Sequence, residues 1–93
     1  MTVSKENKEF LVGLIEYYVN EAQSYREMAQ EYSLKIDSVP DTAFGIIVGC
    51  IYSSFLQTYS NQKLTPTVQD VQEFTEIIMM KSNAIMDSIK KQK

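Results

Sequence analysis

Apolar or small residues return at Leu11, Ile15, Tyr18, Ala22, Tyr25, Ala29, Tyr32 and Ile36, in alternating steps of four and three. That spacing lines one side of an α-helix and, sustained this long, forms a heptad seam. Glu16, Glu21, Glu27 and Glu31 fall off the seam, where a solvated face belongs. With Ser4 as N-cap and Glu6 and Glu9 in the first two turns, the pattern predicts one helix over residues 5–35. Ala22 and Ala29 alternate with Tyr18, Tyr25 and Tyr32, small against large, which suits interdigitation with a neighbouring helix.

The pattern breaks at IDSVPDT, residues 36–42. Ser38 followed by Asp41 resembles a capping box with aspartate for glutamate, and Pro40 suits a helix's first turn, so a second helix is expected over about 40–60. Asn61, Gln62 and Lys63 make the next polar break. Thr65 as N-cap, Pro66 at the first helical position and Asp70 soon after open a third helix, expected over about 66–90. Its stripe is Val71, Phe74, Ile78, Ile85 and Ile89, widened by Ile77 and Met86. Strand-like alternation is almost absent. The expected fold is therefore all-α: one domain over residues 1–93, an antiparallel bundle of three helices joined by short turns.

The middle segment has no clear period. Between Val39 and Asn61 the only formal charge is Asp41, so this helix should be buried nearly all round. Its continuous apolar run, Ala43 to Leu56, is shorter than the roughly 20 residues that span a bilayer. A core helix is expected, not a transmembrane one. Within it, Gly45, Gly49 and Ser53 stand at i, i+4 and i+8, one row of minimal side chains. Each glycine costs a helix about 1 kcal/mol relative to alanine, so the row should be offset by close approach of another backbone, within the chain or from a second one. Bulk lies elsewhere, in Phe44, Ile47, Val48, Ile51, Phe55 and Tyr59.

Two single faces cannot cover such a helix completely. Leu14 and Met28 off the first seam, and the run Ile77, Ile78, Met79 and Met80, add apolar groups outside one narrow stripe. Large exposed apolar patches mark interfaces, and a twofold dimer is the commonest way to bury one. The expectation is a six-helix homodimer with Phe44, Gly45, Val48, Gly49, Tyr52, Ser53, Phe55 and Tyr59 at its interface.

Composition narrows the function. The 93 residues are 44% hydrophobic and 23% charged, as in soluble globular proteins. A domain this small buries only roughly 60–65% of its unfolded surface and gains much from a partner. The net charge of −3 disfavours nucleic acid; the one basic cluster, Lys90, Lys91 and Lys93, suits a helix C-terminus. There is no histidine, which removes the usual general base, the commonest transition-metal ligand and the Ser-His and Cys-His pairs. The carboxylate rows Glu27 with Glu31, and Asp70 with Glu73 and Glu76, read as solvated surface, since a bundle metal site normally needs Glu-x-x-His. Glycines inside helical patterns make no phosphate loop. No catalytic, cofactor or metal site is expected. Cys50, the sole cysteine, reads as an inert buried thiol in a reducing compartment. MTVSKENKEF lacks the apolar region of a signal peptide, so the cytoplasm is expected.

Three roles fit. The first is a non-enzymatic assembly or protein-interaction module, working as the homodimer. The second is a monomeric immunity or inhibitor protein with a groove for one protein target. A third, weaker role is binding of an apolar ligand or membrane surface, against which the acidity weighs.

Overall fold

The computed structural model describes residues 3–91. They form four α-helices: α1 (Lys5–Asn20), α2 (Ala22–Gln30), α3 (Val39–Asn61) and α4 (Val68–Lys90), with a 3-10 turn at Ser33–Lys35 and no strand among them. The all-helical expectation holds. The single first helix does not: it is divided at Glu21 and ends at Gln30. The Glu21 N–H still donates to the Tyr17 carbonyl at 3.1 Å, but the Ser24 N–H reaches back only three residues to Glu21, 3.0 Å. One residue thus leaves helical geometry, at φ −102° and ψ 12°, and the axis bends. The seam survives the bend, with Leu11, Ile15, Ala22 and Ala29 buried and Tyr18 packed on Tyr25 at 5.4 Å. After Ala29 the hydrogen bonds shorten to i→i+3 (Glu31 to Met28, Tyr32 to Ala29, Lys35 to Tyr32), which turns Tyr32 out into solvent.

The predicted caps hold at two of three starts. Ser4 accepts from the Asn7 N–H, and Ser38 from the Asp41 N–H, both at 3.1 Å. The third start moves two residues. Thr67, not Thr65, caps α4, because Asp70 completes a reciprocal box with it: Asp70 N–H to the Thr67 hydroxyl at 3.0 Å, Thr67 N–H to the Asp70 carboxylate at 2.9 Å. Pro66 accordingly lies just before the helix. Lys93 of the basic cluster lies outside the described residues.

Residues Leu11, Ile47, Ile51, Phe55, Ile85 and Ile89 fill the core, each almost wholly excluded from water. The molecule measures 40 × 23 × 19 Å, so α3 and α4, at 23 residues each, run most of its length. α2 lies closest against α3, and α1 packs on both α3 and α4.

At the end where α1 starts, α3 stops and α4 starts, polar side chains make a clasp. Asn7 and Gln62 exchange both amide hydrogen bonds, at 3.1 and 2.9 Å. The Tyr59 hydroxyl hydrogen-bonds to Asp70 and Asn7. Glu73 takes the Val3 N–H at 3.1 Å and the Lys8 ammonium at 2.9 Å. Asp70, 5% exposed, and the half-buried Glu73 are therefore structural, which corrects their reading as solvated surface. At the other end, the Arg26 guanidinium donates to the Ile89 carbonyl at 3.0 Å and caps α4.

α3 ends in a Schellman turn, with Lys63 N–H to the Ser60 carbonyl and Leu64 N–H to the Tyr59 carbonyl, both 2.9 Å. Lys63 carries the positive φ, 60°, that glycine usually takes there. Lys63→Gly should therefore raise stability by about 1 kcal/mol, read by urea unfolding.

Tyr59 is held above the ordinary phenol value of 10, first by burial and then by the Asp70 carboxylate, with the Asn7 hydrogen bond opposing. The fold favours the neutral phenol, so this contribution is complete below about pH 10 and is lost as pH rises through the folded value. Urea midpoints should fall above pH 10, and Tyr59→Phe should flatten that fall.

Candidate functional site: the outer face of α3

α3 buries only Ala43, Ile47, Ile51, Phe55 and Tyr59, one stripe at steps of four. This corrects the expectation of a helix buried nearly all round. The reason is geometric. α1 and α2 cover one flank of α3 and α4 covers another, and among the described residues nothing stands on the third side.

The flanks are identified by their contacts. Cys50 lies beside Tyr18 of α1, and Tyr52 stacks edge-on against Phe74 of α4 at 5.1 Å. Opposite the buried stripe lie Gly45, Gly49 and Ser53, all exposed. A Cβ added at either glycine would meet, beyond its chain neighbours and the adjoining backbone of its own helix, no atom of the described residues within 4 Å. Among the described residues, no backbone from another element approaches Gly45 or Gly49. Between Asp41 and Lys63 this side carries no charge at all.

Among the other residues expected at an interface, Phe44, Val48 and Tyr52 are half-buried along the flank towards α4. Phe55 and Tyr59 are 2% and 4% exposed and belong to the core, so they drop out of that surface. Phe55 sits at 4.9 Å from both Tyr59 and Phe74, within an aromatic cluster that ties α3 to α4. Cys50 is a free thiol, half-buried where full burial was expected, because it lies on the flank and not in the stripe.

By length and composition α3 is also long and apolar enough to cross a membrane, since helical residues extend beyond the apolar run on both sides. Sequence reasoning counted only the run.

A different recess opens between α1 and α4. It encloses about 320 Å³, with Val12, Ile15, Val19 and Ala84 as its apolar lining and Glu16, Asn20 and Lys81 at its polar positions. No group of three or more His, Cys, Asp or Glu side chains among the described residues is placed to hold a metal ion. Comparison with protein families, with characterised proteins and with solved structures yields no match to this chain.

The open glycine row has a direct thermodynamic consequence. Among the described residues nothing packs on Gly45 or Gly49 to offset their helix penalty. Gly45→Ala and Gly49→Ala should each stabilise the monomer by about 0.5–1 kcal/mol, measured by thermal unfolding at dilute chain concentration.

Proposed function

We propose that the chain is a small non-enzymatic assembly module, acting in the cytoplasm as a homodimer formed through the outer face of α3. The observation that carries this reading is the open glycine row. Two glycines cost α3 about 2 kcal/mol in total, and among the described residues no atom from another element comes close enough to offset it. A second backbone at that row would gain close packing over a surface free of charge. The same uncharged outer face gives solvent little reason to favour it.

In this reading the helices form three columns, with α1 and α2 end to end as one bent column. Two copies then build the six-helix assembly. Protein is the partner class; nucleic acid is disfavoured by the net charge of −3. The absence of histidine supports a role without catalysis, cofactor or metal.

The recess between α1 and α4 favours a second reading, an immunity or inhibitor protein that takes one target as a monomer. Its Val12, Ile15 and Val19 could receive an apolar side chain, with Lys81 and Glu16 beside it to orient a polar group.

Light scattering on a sizing column separates the two. The homodimer reading expects twice the 10.7 kDa chain mass, and Gly49→Leu should return it to the single mass with helical circular dichroism intact. A parent that runs as a monomer at high concentration would remove the homodimer and leave the recess as the working surface.

A further inference from the structure

Resting on that homodimer, we infer that its contact spreads from α3 onto the adjoining flank of α4, so that a second copy is held by an uncharged face built from both helices.

Contacts with α1 give α4 its sides. Glu73 takes the Val3 N–H and the Lys8 ammonium, and Ala84 lines the recess that α4 shares with α1. Glu73, Ile77, Met80 and Ala84 follow at steps of four, three and four, one row of a helix, so this row lies on the α1 side. Val68, Thr75, Met79, Ser82 and Met86 follow at steps of seven, four, three and four. They stand across the buried stripe of Phe74, Ile78 and Ile85 from the first row, which is the α3 side. Two of them are large apolar groups left in water, Val68 at 75% exposed and Met79 at 67%.

α3 is oriented in the same way. Cys50 lies beside Tyr18, and Thr58 and Gln62 share a cleft with Phe10. Cys50, Ser54, Thr58 and Gln62, at steps of four, therefore form a largely polar row towards α1. Phe44, Val48, Tyr52 and Leu56, also at steps of four, form an apolar row on the other side, where Tyr52 meets Phe74 of α4. That row borders the glycines along its length. The apolar rows of α3 and α4 thus flank one groove.

Charge sets this face apart. α3 has none between Asp41 and Lys63. Between Val68 and Ile89, α4 buries Asp70 in the clasp and turns Glu73 and Lys81 towards α1. Glu76 and Asp87 stand four and seven residues from Met80, on its side of the helix.

The same distribution selects the occupant. Each chain carries a net charge of −3, and like charges brought face to face repel, so two copies meet most favourably where neither presents a charge. Such a face also offers a charged partner nothing to pair with. Area calls for both helices. A stable contact takes about 800 Å² per partner, roughly an eighth of this molecule's 6279 Å². Gly45 and Gly49 contribute no side-chain surface to it, so the area has to come from the flank that carries Leu56, Val68 and Met79.

Met79 and Met80 supply the test and its control, being adjacent, 67% and 80% exposed, and on opposite sides of α4. Met79→Glu, Met80→Glu and Thr75→Lys are compared with the parent and with Gly49→Leu by light scattering on a sizing column across a dilution series, with helical circular dichroism as the check of folding. The expected dimer dissociation constant is at least tenfold higher for Met79→Glu and for Thr75→Lys, and within twofold of the parent for Met80→Glu. Thr75→Lys lowers the negative charge of the chain, so repulsion between whole chains does not account for its effect. Parent-like dissociation of both Met79→Glu and Thr75→Lys while Gly49→Leu runs as a monomer would confine the contact to α3, overturning this inference and leaving the homodimer. Equal weakening by Met79→Glu and Met80→Glu overturns it as well. A parent that runs as a monomer overturns both.

Discussion

A helix in a bundle with two neighbouring columns can bury two flanks and the stripe between them, and no more. α3 is apolar or small around almost its full circumference, yet among the described residues its neighbours stand on the α1 and α2 flank and on the α4 flank. The rest of the molecule follows from how that mismatch is handled. The bulky groups at steps of four, Ile47, Ile51 and Phe55, take the inward stripe. The third side receives the smallest residues available, Gly45, Gly49 and Ser53. Exposed glycine adds little apolar side-chain area to water, so the outward face leaves a shape that a second backbone can approach without a large apolar side chain at its centre.

Holding two faces in a fixed relation requires that the helices not slide, and apolar stripes alone specify sliding poorly. The clasp of Asn7, Gln62, Tyr59 and Asp70 supplies that fixity through paired groups whose geometry admits one register. Every buried side-chain nitrogen and oxygen among the described residues has a partner. Displacing α1 along α3 by a turn would leave several of them without one, at roughly 1–3 kcal/mol each. Arg26 on the Ile89 carbonyl closes the opposite end. Both ends being pinned fixes the register of α1 and α2 against α3 and α4.

The sequence carried different parts of this with different clarity. The seam through Leu11, Ile15, Ala22 and Ala29 and the stripe through Phe74, Ile78, Ile85 and Ile89 were legible because polar residues separate their turns, and Ser4 and Ser38 marked two starts by their own chemistry. The bend at Glu21 had no such signal, since the heptad spacing runs through it unbroken. Thr65 and Thr67 offered competing caps, and only the carboxylate of Asp70 in reach of Thr67 decides between them. Asp70 and Glu73 looked like surface acids because composition does not reveal that α1 would bring Val3, Asn7 and Lys8 to them. For α3 the difficulty was deeper. A helix without polar residues has no amphipathic period, so the row of glycines was visible while the side it faces was not. Phe55 and Tyr59 were placed with that row for the same reason.

On the proposed pairing, association and helix stability draw on the same residues in opposite directions. A chain of 93 residues has a small margin, and α3 gives up part of it at Gly45 and Gly49. Alanine at both positions would restore that part to the isolated chain but would hold a partner backbone further off along the whole row. A protein selected only to fold alone has no use for the glycines at sites where a Cβ meets nothing. One selected to fold and assemble together recovers the loss in the complex, and its folded population then rises with its own concentration.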